Sequence, residues 1–334
     1  VPIEKAKQII KDIQQGNIAP IYFLMGEEPY YIDGISSFIE DSILSEEEKS
    51  FNQVVLYGRD VSIDDIISNA KRYPMMAERQ VVIVKEAQDL SRTIENLLPY
   101  AENPQPSTVL VICYKYKKLD ARKKLSKTIQ KYGVLFESKK LYENQIPDWI
   151  RRVLAGKGYT ITPKAAQMLT EFLGNDLGKV NNELEKLQLI LPQGSQITPQ
   201  VVEENIGISK DFNNFELQNA IGSRNITKAF TIVQYFGQNP KNHPLVMTVA
   251  LLYSFFSKLL KYHALKNPAH AARELGVSPY FIKDYQTAAL NYPMKKVSRI
   301  ISDIREIDMK SKGVGGANIP QGDLLKELLV KIFD

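Results

Sequence analysis

Five short apolar runs, at residues 19–25, 52–57, 80–84, 107–113 and 134–137, are each too brief for an amphipathic helix and mostly lack polar alternation. Near-continuous runs of that length are what strands buried on both faces require. Between and before them lie stretches with helical spacing, at 3–14, 30–44, 62–70, 91–100 and 121–132. Strands separated by helices need right-handed crossovers, so the first part of the chain is predicted to be an α/β domain around a largely parallel sheet. Gly26 ends the first run, as expected of a strand that stops at a turn.

After Leu141 the strand signals stop and the pattern predicts helices only. A helix over 145–157 carries the single tryptophan, Trp149. Thr162-Pro163 and Thr198-Pro199 each pair an N-cap with a proline at the first helical position, and 176–191 is helical between them. The polar segment 207–214 has no long hydrophobic run and makes a natural boundary. From Phe215 onward everything reads as helix, with Pro240, Pro244, Pro268, Pro279, Pro293 and Pro320 as punctuation. A glycine-rich loop over 311–318 precedes a last amphipathic helix over 324–333. The division expected is therefore 1–141, 142–208 and 209–334.

The 334 residues suffice for two or three cores, and 44% hydrophobic with 24% charged residues excludes a disordered or fibrous chain. A net charge of +5 permits contact with nucleic acid or an acidic protein without demanding either. Cys113, the only cysteine, lies in the apolar run VLVICY, which fits a reducing cytoplasm and excludes an internal disulfide. No signal-peptide pattern opens the sequence, and no apolar stretch is expected to reach the ~18 residues of a membrane span.

The segment 62–84, SIDDIISNAKRYPMMAERQVVIV, stands apart. Ser62 is a candidate N-cap, and Ile63, Ile66, Ile67 and Ala70 fall on one helix face. Pro74 lacks the amide hydrogen that would continue a helix and pushes Tyr73 out of helical geometry. Met75 and Met76 therefore fall on a turn or a short helical tip. Two readings are open for them: packing under the sheet, or filling a partner's apolar pocket with flexible thioethers.

The chemistry of an enzyme is missing. The first strand–helix junction reads MGEEPYYID, where a phosphate loop needs glycine-rich amides, a lysine and a hydroxyl. Glu27 and Glu28 would put negative charge where phosphates should lie, and Lys85-Glu86 after the third strand lacks the aspartate that holds a magnesium water. His243, His263 and His270 have no metal-ligand spacing. The paired acids Asp64-Asp65 and Glu46 to Glu48 sit at predicted helix starts, where the macrodipole favours them. One basic run, Lys115 to Lys118 with Arg122, Lys123, Lys124 and Lys127, would cluster at a rim of the sheet. It reads either as a phosphate-backbone or acidic-partner contact or as a solvated face.

In order and spacing, IYFLMGEEPYYID, RYPMMAERQVVIVKEAQ, STVLVICYKYKKLDARKKL, NDLGKVNNELEKL and FNNFELQNAIGSRNITKAF resemble the bacterial DNA polymerase III delta subunits, the clamp-loader subunits that open the sliding clamp. The resemblance spans nearly the whole chain. It implies an α/β plus α architecture: an AAA+-like parallel-sheet domain without a working phosphate loop, a small helical lid, and an all-helical collar. It implies a non-catalytic subunit with no cofactor, working in the cytoplasm at the replisome. Its partners would be the beta sliding clamp, the gamma/tau ATPase subunits and delta prime, with primer-template DNA reached through the complex and no membrane involved. In the family two adjacent hydrophobic residues after the third helix enter a pocket on the clamp, positions held here by Met75 and Met76 and flanked by Tyr73 and Pro74. Family members often carry a leucine and an aromatic there, so the methionine pair departs in shape but not in polarity. Lys117, Lys118, Arg122, Lys123 and Lys124 are the candidate contact for DNA or an acidic partner. The alternatives to this assignment are a divergent ATPase acting on nucleic acid and a direct DNA-binding protein.

Overall fold

A computed structural model describes residues 2–265, 267, 270–314 and 319–334. The chain forms two compact units, Val1–Leu141 and Tyr142–Asp334.

In the first unit five parallel strands pair in the order β2-β3-β4-β1-β5. They are β1 (Ile21–Gly26), β2 (Gln53–Tyr57), β3 (Gln80–Lys85), β4 (Thr108–Lys115) and β5 (Val134–Ser138). Around them run α1 (Pro2–Gln14), α2 (Pro29–Ser42), α3 (Glu46–Asn52), α4 (Ile63–Ala70), α5 (Leu98–Glu102) and α6 (Lys124–Tyr132). The central strands β1, β3 and β4 are buried along nearly their whole length, which explains their unbroken apolar sequences. Phe23, Val84 and Ile112 lie in register across them. On one face Ile21, Phe23, Val82 and Leu110 pack with Ile63 and Ile66 of α4 and Leu125 and Ile129 of α6. Burying side chains of this size contributes about 1.5–3 kcal/mol each, and this layer fixes where α4 ends. Met75 and Met76 take no part in it.

The strands match their predicted ranges to within two residues, but three helical details differ. The sequence predicts only an acidic helix start at Glu46 to Glu48; Ser45 and Glu48 close a capping box there and set helix α3. Residues 91–100 are not one helix: short 3-10 turns, Ala87–Leu90 and Ile94–Leu97, lead into α5. Helix α6 begins at Lys124 instead of 121, because the Asp120 carboxylate accepts the backbone amide of Arg122 at 3.0 Å and holds a turn there.

The second unit comprises α7 (Ile146–Gly156), α8 (Pro163–Leu173), α9 (Leu177–Ile190), α10 (Pro199–Ile206), α11 (Asn214–Gly222), α12 (Ile226–Gln238), α13 (Leu245–Ala264), α14 (Ala271–Leu275), α15 (Ile282–Asn291), α16 (Met294–Ser311) and α17 (Gln321–Phe333). It also holds a two-residue parallel pair, β6 (Thr160–Ile161) with β7 (Gln196–Ile197), which corrects the expectation of helices alone. Elements this short carry no periodicity to read. Helix α13 is long and apolar enough by length and composition to cross a membrane, which corrects the expectation that no stretch would be. Its Leu252, Phe255, Phe256 and Leu259 are buried in a core shared with α11, α12, α16 and α17, so packing accounts for the apolarity of one face, while Val246, Met247 and Tyr253 are exposed. Pro268 and the glycine-rich residues 315–318 lie outside the described residues.

Candidate functional site

Helix α4 starts as its sequence dictates. The Ser62 hydroxyl accepts the Asp65 amide, and the Asp65 carboxylate accepts the Ser62 amide at 2.8 Å. The Ser62 hydroxyl, which also donates to the Asp65 carboxylate at 2.6 Å, and the Ser62 amide hold that carboxyl below its usual range. The helix stops at Ala70, where Thr108 donates to the Ala70 carbonyl at 2.7 Å. The buried Gln80 amide donates to the carbonyls of Asn69, Ala70 and Arg72 and to the Thr108 hydroxyl. Carbonyls orphaned at a helix end are thus capped from the neighbouring strands, and the loop beyond starts from a fixed point.

That loop carries the methionines outward. Met75 is 58% and Met76 103% exposed, and Tyr73 beside them is also exposed. Pro74 is half-buried beneath. Packing under the sheet is therefore ruled out for both methionines. Met76 has a φ of 53°, a conformation that costs a residue bearing a Cβ about 1–2 kcal/mol. The Met75 backbone is held by a side chain 23 residues earlier. The amide of Asn52 donates to the Met75 carbonyl at 3.0 Å, and its oxygen accepts the Met75 amide at 2.6 Å. No sequence signal pointed to Asn52, because a contact across 23 residues leaves no local pattern. Phe51, next to it in α3, is also exposed.

The corner where a nucleotide would bind is filled by the protein itself. Only Glu27 and Glu28 separate β1 from α2. The Gly26 amide donates to the Lys117 carbonyl at 3.0 Å and the Glu28 amide to the Ser138 carbonyl at 3.2 Å. Gly26 itself is needed for this close approach, since a Cβ there would lie 2.1 Å from the Ser138 carbonyl oxygen. The buried Glu28 caps α2 by accepting the Tyr30 amide at 3.0 Å, and Pro29 has no amide to offer. Lys115, at the end of β4, pairs with Asp33 at 2.8 Å and Glu86 at 2.9 Å. Burial works against its charge, but hydrogen bonds to these two carboxylates outweigh it and raise the Lys115 pKa. Lys115 in turn holds the Glu86 carboxyl below its usual range. The amides of Gly26 and Glu28 and the Lys115 ammonium are thus already committed within the protein. Among the described residues no His, Cys, Asp and Glu group could hold a metal ion. Burial pushes the Cys113 thiol up to about 11, so it is not a reactive thiolate near neutrality.

The basic run is less positive than its sequence suggests. Lys118 faces Glu137 at 3.9 Å, Lys123 faces Glu95 at 3.3 Å, and Lys124 faces Glu102 at 2.6 Å. Arg122 forms a fork on Asp120, which holds that carboxyl far below its usual range. Lys117 donates to the Ser91 hydroxyl at 2.7 Å. Exposed pairs of this kind add little stability, but together they neutralise much of the field that would attract a phosphate chain. Lys117, Lys118, Arg122 and Lys123 lie on the loop after β4, and Lys124 and Lys127 lie on α6.

A parallel sheet in the order β2-β3-β4-β1-β5, with its nucleotide corner occupied by internal contacts and a helical second unit, defines an AAA+-like scaffold. Residues 22–139 match the family described as DNA polymerase III, delta subunit, and residues 211–325 match the C-terminal domain of that subunit. The chain is similar to the DNA polymerase III subunit delta of Bacillus subtilis (strain 168), with 27% identity over 97% of this chain and 94% of that one. It is 21% identical to a probable DNA polymerase III subunit delta of Aquifex aeolicus (strain VF5), over 87% of this chain and 86% of that one. Among solved structures, the Bacillus subtilis DNA clamp loader delta protein aligns with a TM-score of 0.55 and 25% identity, covering 98% of this chain and 99% of that chain. The chain belongs to the DNA polymerase III delta subunit family and is a non-catalytic component of the clamp loader.

Proposed function

We propose that this subunit binds the beta sliding clamp through Met75 and Met76, with Tyr73 and Pro74 at the margin, and stabilises the clamp in its open form. The observation that carries this reading is the exposure of two adjacent methionines, Met76 fully, on a loop anchored where it leaves α4 and again at Met75. Burying two such side chains contributes about 3–6 kcal/mol before ordering costs, and anchoring the loop beforehand keeps those costs low. The clamp opens only to the extent that this contact favours its open shape over the closed ring.

The division of the second unit into a lid over 142–208 and a collar over 209–334 is part of the same proposal. It is supported by the core that Leu217 to Ile332 share among themselves. The collar would assemble with the gamma/tau ATPase subunits and delta prime, and the complex would carry the subunit to primer-template DNA in the cytoplasm. ATP bound by those neighbours would control access to the tip.

Gel filtration with the cognate sliding clamp tests the tip. The double variant Met75→Ala, Met76→Ala is expected to keep its circular dichroism spectrum and melting temperature while no longer co-eluting with the clamp. Unchanged co-elution would remove the tip from the mechanism.

A further inference from the structure

We propose that Asn52 is a positioning residue for clamp binding: its carboxamide holds Met75 in the backbone geometry that presents the methionine pair. The inference rests on the docking role of that pair. Asn52 closes α3 and is only 2% exposed, yet α3 is only seven residues long and mostly polar. One amide hydrogen goes to the Glu48 carbonyl at 3.1 Å, within its own helix. The other goes to the Met75 carbonyl at 3.0 Å, while the oxygen accepts the Met75 amide at 2.6 Å.

A side chain that both donates to and accepts from one residue's backbone imitates a strand partner, and among residues of this size asparagine carries the donor and the acceptor on two separate atoms of one planar group. The loop needs that service. Pro74 precedes Met75 and contributes no amide hydrogen, and Met76 sits at φ 53°, a backbone state that relaxes unless its surroundings hold it. Gln80 and Thr108 fix the loop where it leaves α4, and Asn52 fixes it at Met75 itself. Without Asn52 the loop samples other shapes, and the clamp pays for selecting the competent one.

Binding of the full-length chain to immobilised cognate clamp tests the inference with four proteins: wild type, Asn52→Ala, the double methionine variant, and the triple variant. Asn52→Ala is expected to weaken binding about tenfold, the scale of two lost hydrogen bonds. The triple variant is expected to bind no worse than the double variant, because Asn52 acts only through the methionine pair. If Asn52→Ala binds like wild type while the double variant does not, the positioning role is wrong and the docking role stands. If the double variant binds like wild type, the docking role itself fails. Asn52→Asp keeps the size and the acceptor but loses the donor, and should be impaired like Asn52→Ala. In wild-type protein the Met75 amide should be protected from hydrogen exchange, and free exchange there would overturn the inference without any variant.

Discussion

At Met76 stability and binding pull in opposite directions. Its side chain lies in solvent, so it gains nothing from burial, while its backbone sits at φ 53°. Glycine carries no steric penalty there. Met76→Gly is therefore expected to leave the melting temperature unchanged or to raise stability by up to about 1 kcal/mol. The same variant should weaken clamp binding at least tenfold, the scale expected for losing one buried methionine. Met76→Leu should restore binding but keep the strained backbone. Chemical denaturation and clamp titration of the two variants separate the contributions. A methionine kept in solvent at a conformational cost only for packing reasons would show the reverse order. Met25, by contrast, is a buried residue of β1, where its sulfur accepts the Leu119 amide at 3.2 Å. Residue type alone did not distinguish these methionines. Pro74 places Met75 and Met76 on a turn by ending the regular structure just before them, but both readings stay open until their exposure decides between them.

The elements of the first unit were legible wherever burial wrote itself into the sequence. Strands β1, β3 and β4 are covered on both faces and so read as unbroken apolar runs, and α4 declared itself through Ser62 and its isoleucine spacing. Helix α3 was not legible as an element, because EEEKSFN offers one apolar side chain and Phe51 faces solvent. The anchor of the tip therefore stayed hidden with it. Helix α8 holds a different feature that sequence could not show. Glu171 lies in its last turn, where the helix dipole disfavours negative charge, and one carboxylate oxygen is buried without a hydrogen-bond partner. Burial pushes this carboxyl from its ordinary 4.5 up to about 7. Between those values the folded chain binds more protons than the unfolded one, so stability falls as pH rises through the window and levels off above it. Glu171→Gln should thus raise stability at pH 8 by about 1–3 kcal/mol and have little effect near pH 4. Urea unfolding at the two values would check this; an equal effect at both would place the cause in packing instead of ionisation.

At the scale of the whole molecule, the methionine tip and the helical core of the second unit belong to separate packing systems. Strands β1, β3 and β4 share with α4 and α6 a core whose buried members fall between Ile21 and Ile129, and the supports of the tip, Asn52, Gln80 and Thr108, lie within the same span. The helices from α11 to α17 share another core, from Leu217 to Ile332. A unit of this size with its own core is large enough to fold independently. A fragment ending at Leu141 is therefore expected to fold cooperatively and to bind the clamp within about threefold of the full chain, a difference of less than ~1 kcal/mol. It should fail to join the loader ring, because the segment proposed for assembly is gone. Denaturation of the fragment followed by calorimetric titration with clamp measures the first two expectations, and mixing with the partner subunits on a sizing column measures the third. Loss of clamp binding in a fragment that still unfolds cooperatively would show that residues beyond Leu141 contribute to the clamp contact, and the docking surface would then have to extend past the methionine tip.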